Sequence, residues 1–134
     1  MLLSLLTKEE KGYFIDLLVK LIHADGDPSQ MDLQTFKRMK YEMGEEGLKY
    51  RMSNLSVDKL IEYFTTKTKA TKNLVLLNLI AASLSDEYYS VEEHFLIEQI
   101  QEALGISDKR RKELTRFVYQ ERDLREKVKR TISE

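Results

Sequence analysis

Apolar residues recur at three- and four-residue spacing along most of the chain, which is the period of amphipathic α-helices. The first such face contains Phe14, Leu17, Leu18, Leu21 and Ile22. Thr7 followed by Glu10 is a capping-box pattern, in which the hydroxyl accepts from a first-turn amide and the carboxylate bonds back to the cap. The pattern predicts a first helix from about Lys8 to Ala24.

The next helices are marked by caps and by thinner apolar faces. Ser29, with Asp32 three residues later, predicts the start of a second helix, and Gly44 stands where a left-handed cap would end it. A short helix to about Met52 and another around residues 60–64 follow. The polar residues 65–71 are predicted to be a connection.

The second half of the chain begins with residues 74–84, which are apolar nearly all round and indicate a helix enclosed by other helices. Ser90 with Glu93 is another capping box, Gly105 ends that helix, and Ser107 can cap a final long helix or helix pair reaching residue 132. No strand pattern competes. We therefore expect an all-α domain spanning residues 1–134, a compact bundle of about seven helices.

An internal repeat relates the two halves. A shift of 61 residues aligns Asp25 with Asp86, and Ser29 with Ser90. It also aligns Asp32 with Glu93, Gly44 with Gly105 and the apolar Leu18 with Leu79. Because loop, cap, apolar face and terminal glycine agree together, we predict a helix–acidic loop–helix unit used twice, over residues 14–47 and 75–108.

Composition excludes several classes of protein. The 134 residues are 42% hydrophobic, enough for one core, and contain no cysteine. Disulfides, thiolate zinc sites and cysteine nucleophiles are therefore excluded, and a cytoplasmic location is expected. The apolar start is too short for a signal peptide, and residues 74–84 are too few to span a membrane. His23 and His94 lack ligand or catalytic partners at useful spacing, and no catalytic motif is present, so we do not expect an enzyme.

Two acidic clusters could hold a hard cation such as Ca²⁺ or Mg²⁺ weakly, because such ions prefer several carboxylate oxygens. Their members are Asp25, Asp27 and Asp32 in the first half and Asp86, Glu87 and Glu93 in the second. An EF-hand is excluded, since Gln30 and Phe36 occupy the positions of its glycine and its bidentate glutamate. The alternative is that these carboxylates form turns and cap helices.

Charge is uneven along the chain. Residues 108–134 hold ten Lys or Arg and six Asp or Glu, so this segment carries +4 and the remainder −5. Lys109, Arg110 and Arg111 could contact phosphates, anionic lipid or an acidic partner. The interleaved acids favour a solvated helix face and disfavour nucleic acid. In the second acidic loop, Tyr88 and Tyr89 cannot both point inward, which makes them candidates for contact with a partner.

The chain resembles the TerB-like family, which is named for tellurite resistance and is related to the N-terminal region of membrane-anchored J-domain co-chaperones. The matching residues are 21–29 with Asp32, residues 86–93, and residues 103–107, within a resemblance that covers most of residues 14–108. The family pattern is a helix ending in Ala-Asp-Gly, a Ser-x-x-Glu helix start and a Leu-Gly end, in two copies. The resemblance implies about seven helices, no catalysis, an acidic surface for a divalent cation, and partners in membrane-associated stress complexes, hence a location that could be peripheral to the inner membrane.

The function we expect is that of a TerB-like interaction or adaptor module, whose acidic loop surface binds a protein partner or a weakly held cation. The alternative is a domain that binds nucleic acid or an anionic membrane surface through its basic C-terminal helix. A homodimer that packs through Leu2, Leu3, Leu5 and Leu6 is a third hypothesis.

Overall fold

The prediction of an all-helical fold is confirmed by a computed structural model, which describes residues 1–85 and 90–134 and places no strand among them. Within these two ranges, a short 3₁₀ turn at Leu3–Leu5 precedes seven α-helices. The helices are α1 (Lys8–Ile22), α2 (Gln30–Glu42), α3 (Glu45–Leu48), α4 (Val57–Thr65), α5 (Lys69–Ser83), α6 (Val91–Ala103) and α7 (Asp108–Ser133).

Helix starts follow the local capping chemistry. The side chains of Thr7, Ser29, Ser90 and Ser107 each accept a hydrogen bond from the amide three residues ahead. These bonds satisfy first-turn amides that have no partner within the helix. Each of the four helix starts predicted from these residues therefore lies directly after a capping side chain.

Two sequence-based boundaries need revision. Residues 65–71 were predicted to be a connection, but α5 already begins at Lys69 because Thr68 Oγ1 accepts from the amide of Thr71 at 3.2 Å. The C-terminal segment, for which one helix or a pair was expected, is the single 26-residue helix α7.

The helices of the two halves are related by the same 61-residue shift that aligns their sequences. α1 and α5 are both 15 residues long, α2 and α6 are both 13 residues long, and each pair is separated by that offset. Thr7 and Thr68, the caps of α1 and α5, correspond in the same way. Gly44 and Gly105, which follow α2 and α6, both have positive φ, at 77° and 68°.

The core is organised around α1 and α5. α1 contacts α2, α3, α4, α5 and α6, and α5 contacts α2, α4, α6 and α7 as well as α1. The fully buried side chains of the core include Phe14, Leu17, Leu18, Phe64, Leu76 and Leu79. Among the described residues, no helix is both long enough and apolar enough to cross a bilayer.

The N-terminal segment packs on this core. Leu3 and Leu6 are buried, whereas Leu2 and Leu5 are exposed. Asn78 of α5 donates from Nδ2 to the carbonyl of Met1 at 2.9 Å, and Glu42 Oε1 accepts from the amide of Leu3 at 3.1 Å. Two of the four leucines proposed for a dimer contact thus belong to the core of the same chain.

Candidate functional site

The first acidic loop places its carboxylates in different environments. Asp25 and Asp27 are exposed in the turn between α1 and α2, where Gly26 adopts a φ of 118°. His23 ends α1, and its Nδ1 lies 2.9 Å from the carbonyl oxygen of Val19. The loop chemistry is therefore that of a solvated turn after a helix.

Asp32 does not join them, because it is buried and completes the capping box of α2. Its Oδ2 accepts from the amide of Ser29 at 3.0 Å, and the amide of Asp32 donates to Ser29 Oγ at 3.0 Å. In the second half, Glu93 is also buried, and its amide donates to Ser90 Oγ at 3.0 Å. A carboxylate at this position also lies favourably against the positive end of the helix dipole.

The rest of the predicted cation and partner surface, Asp86, Glu87, Tyr88 and Tyr89, lies outside the described residues. Among the residues that are described, no three His, Asp or Glu side chains are grouped so that they could hold a metal ion. The described part of the acidic surface therefore consists of Asp25 and Asp27.

The basic run at the start of α7 is divided by the fold. Arg111 is partly buried, and its Nη1 lies 3.8 Å from Glu98 Oε1 on α6, which is also 2.8 Å from His94 Nε2. Arg110 faces a pocket beside the start of α5, and Lys109 is exposed. The three residues therefore do not form one continuous patch.

α7 runs parallel to α5 and extends beyond it. At one end, Ser107 and Arg110 share a pocket with Lys69 and Lys72 of α5. At the other end, Arg122 Nη1 donates to the carbonyl of Leu84, the C-cap of α5, at 3.0 Å. Residues 123–133 therefore continue past the end of α5 for about 16 Å, at 1.5 Å per helical residue.

One side of α7 presents apolar side chains to solvent. Phe117, Leu124, Val128 and Ile132 are 52%, 62%, 46% and 78% exposed. Their spacing of seven, four and four residues places them within one stripe along the helix. We call these four residues the α7 stripe. The side chains that α7 buries, Leu114 and Val118, lie on an adjoining face: Leu114 is 18 residues, or about five turns, before Ile132. The α7 stripe is therefore continuous with the face that packs on α5.

Basic residues border the α7 stripe. At 3.6 residues per turn, Arg125 and Lys129 lie on one side of the stripe, and Arg116 and Lys127 lie on the other. Arg125 forms an ion pair with Glu121, and Lys129 Nζ lies 3.2 Å from Glu126 Oε1. Within the described ranges, neither Arg116 nor Lys127 has an acidic partner. Glu121, four residues after Phe117 and three before Leu124, lies within the stripe, and Asp123 lies near Arg116 and Lys127. The stripe is thus an apolar surface that contains one paired carboxylate and is bordered mainly by cations.

A further concave surface, which the sequence did not reveal, lies on α1. A pocket of about 650 Å³ is lined by Gly12, Tyr13 and Asp16, and by Tyr50 and Leu55 from the segment that follows α3. The side-chain oxygen of Tyr50 is buried and has no hydrogen-bond partner in the part of the chain that the structure describes. Gly12 could have indicated this surface from the sequence, because neither a turn nor a close contact requires a glycine inside the apolar helix α1.

Tyr63, next to this pocket, stacks on Tyr13 with ring centroids 3.6 Å apart. Burial raises the pKa of the Tyr63 phenol well above its usual value, and the negative charge of Glu9 adds to the rise. Tyr63 is therefore neutral at physiological pH, and the stacked pair of Tyr13 and Tyr63 packs beside the pocket.

Comparisons with protein-family models, with curated proteins and with solved structures find no match for this chain. The resemblance to the TerB-like family therefore stays a prediction, and function has to be argued from the surfaces of the chain itself.

Proposed function

We propose that this chain is a non-enzymatic interaction module that binds an acidic amphipathic helix of a protein partner along the α7 stripe. The observation that carries the proposal is the alignment of four exposed apolar side chains on one side of α7. Among the described residues, α7 packs most extensively on α5 and extends beyond it. The function expected from the sequence was an adaptor that binds through its acidic loop surface. This proposal keeps the interaction module but assigns the binding surface to α7.

The energetics favour a partner at this surface. Complete burial of a Val, Leu, Ile or Phe side chain contributes about 1.5–3 kcal/mol. The part of α7 beyond α5 has eleven residues and receives little tertiary packing, which is the main source of helix stability in proteins. A partner that covers Leu124, Val128 and Ile132 would therefore both bury apolar surface and stabilise the end of the helix.

Charge favours an acidic partner. Arg116 and Lys127 border the stripe without acidic partners among the described residues. Glu121, within the stripe, is already paired with Arg125, and Glu126 lies on the opposite side of α7. Glutamates that flank the apolar face of a partner helix would pair with these cations, as in helix-in-groove recognition.

The same segment is less suited to a nucleic acid or an anionic membrane. Residues 119–134 hold five Lys or Arg and four Asp or Glu, so their net charge is close to zero. Phosphate-dominated binding depends on the number of cations that meet the anionic surface. A partner helix with single charges spaced along its length matches this mixture of positive and negative residues better.

The test uses the full chain and two synthetic 21-residue helical peptides with one apolar face, flanked by glutamates in one peptide and by lysines in the other. We expect the Glu-flanked peptide to bind with a micromolar Kd in calorimetry and the Lys-flanked peptide to bind at least about tenfold more weakly. Leu124→Lys with Val128→Lys should abolish binding. Arg130→Gln, a change on the far side of α7, should leave it unchanged.

Three outcomes would overturn the proposal. The first is equal binding of both peptides, and the second is undiminished binding by the double variant with its helix content intact in circular dichroism. The third is binding to vesicles of phosphatidylcholine and phosphatidylserine, with no peptide binding, which would favour the membrane-surface function. Sedimentation of the free chain identifies self-association through the stripe, which would compete with the peptide.

A further inference from the structure

The N-terminal end of α7, opposite the end that carries most of the stripe, borders a pocket with a different chemistry. A pocket of about 540 Å³ lies where the start of α5, the end of α6 and the start of α7 meet. Lys69, Lys72 and Asn73 line it from α5, and Ser107 and Arg110 line it from the start of α7. The charged side chains in this lining are all positive.

None of these three cations, Lys69, Lys72 and Arg110, forms an ion pair with another described residue. Asp108, the acidic residue next to them in sequence, bonds elsewhere, since its Oδ1 accepts from Gln101 Nε2 at 2.9 Å. Like charges held close together repel one another, and a bound anion would remove this cost.

The backbone around the pocket adds to the positive potential. Because α5 and α7 are parallel, their N-terminal ends lie on the same side of the molecule, and such ends carry partial positive charge. Gly105, in the turn between α6 and α7, has a φ of 68°, and a Cβ built there would meet no atom within 4 Å. The turn therefore has open space beside Gly105.

We propose that this pocket binds a phosphate group, either a soluble phosphate compound or a phosphorylated lipid headgroup. A phosphate offers several strong acceptor oxygens, and the guanidinium of Arg110 can donate two parallel hydrogen bonds to it while Lys69 and Lys72 supply point charges. The pocket is independent of the α7 stripe, because Arg110 and Leu124 are separated by 14 residues, about 21 Å along the helix.

The experiment compares the full chain with the triple variant Lys69→Gln, Lys72→Gln and Arg110→Gln. A matched control removes three exposed lysines outside the pocket, by Lys20→Gln, Lys37→Gln and Lys59→Gln. Inorganic phosphate and pyrophosphate are titrated at constant ionic strength, and binding is followed by amide chemical shifts and by Tm.

We expect saturable shifts at residues 69–73 and 105–110 and a rise in Tm for the wild-type chain and for the control. The triple variant should bind pyrophosphate about tenfold or more weakly, because it lacks the charged donors. Without phosphate it should be at least as stable as the wild-type chain, because mutual repulsion of the three cations is removed.

A vesicle arm distinguishes the two sources of phosphate. Binding to phosphatidylcholine vesicles that contain phosphatidic acid, lost only in the triple variant, assigns the site to a lipid headgroup. Binding of pyrophosphate without any preference for such vesicles assigns it to a soluble ligand. The proposal is overturned if neither probe binds, or if the control variant loses as much affinity as the triple variant.

Discussion

Ser53 Oγ donates a hydrogen bond of 2.6 Å to Oδ2 of Asp16, a buried carboxylate of α1 that lies 37 residues earlier in the chain. The amide of Ser53 also approaches Asp16 Oδ1, at 3.4 Å. These two hydrogen bonds hold the segment between α3 and α4 against α1. The same segment forms one wall of the tyrosine-lined pocket.

The first prediction concerns this contact. Ser53→Ala removes one donor from the Asp16 carboxylate. Because Ser53 is exposed and water can take the place of its hydroxyl, the loss should be that of a typical hydrogen bond, about 0.5–1.5 kcal/mol. We expect the free energy of unfolding in urea to fall by that amount. Asn54→Ala, a change at the exposed neighbouring residue, is the control and should have little effect. Equal effects of the two substitutions would show that the bond to Asp16 contributes nothing.

The capping role of Asp32 gives the second prediction. Asp32→Ala removes the acceptor of the Ser29 amide and a favourable interaction with the helix dipole, so stability should fall by about 1 kcal/mol. The loss should be the same in EDTA and in millimolar Ca²⁺ or Mg²⁺. Asp27→Ala, in the exposed turn, should change stability little. A loss that occurs only with a divalent cation present would instead identify Asp32 as part of a cation site.

The third prediction contrasts two glycines in helices. Gly12 lies in α1, and a Cβ added there would meet no atom within 4 Å, whereas a Cβ at Gly47 would lie 2.2 Å from the carbonyl oxygen of Lys40. Gly12→Ala should therefore raise the free energy of unfolding by about 1 kcal/mol, since alanine favours a helix interior over glycine. Gly47→Ala should lower it. Thermal unfolding of both variants checks the pair, and destabilisation by Gly12→Ala would contradict the open environment of that residue.

The fourth prediction concerns Glu46 of α3. The pKa of Glu46 lies below its ordinary value of 4.5, first because its carboxylate accepts a hydrogen bond from its own backbone amide. The positive charge of Lys11, whose Nζ is 3.6 Å from Glu46 Oε2, lowers the pKa further. Because the pKa is lowered on folding, the stability linked to this group is present above pH 4.5 and is lost as pH falls through the folded pKa. Lys11→Gln should move the pKa part of the way back to 4.5.

Side-chain carboxyl resonances followed by NMR against pH measure this value directly. Lys49→Gln serves as the control, because Lys49 pairs with Glu45 rather than with Glu46. An unchanged pKa of Glu46 in the Lys11 variant would show that the ion pair between α1 and α3 does not form in solution.

Local chemistry accounts for most of what was predicted correctly. Ser29 and Ser90 are caps because their side chains bond to amides three residues ahead, and such contacts can be read from neighbouring residues alone. The start of α5 was missed because Thr68 lies in a run of polar residues. The 61-residue offset from Thr7 could have identified it as the equivalent cap.

The sequence by itself determined the helical class, the caps and the apolar faces, since each depends on residues within one or two turns of one another. The tertiary structure decided which charged groups act together. It buried Asp32 in the capping box of α2 while Asp25 is exposed, and it gave Arg110 and Arg111 different surroundings. It also brought Arg110 to Lys69 and Lys72, about forty residues away, because α7 packs parallel to α5. Spacing along the chain cannot reveal such groupings, because they depend on how whole helices pack.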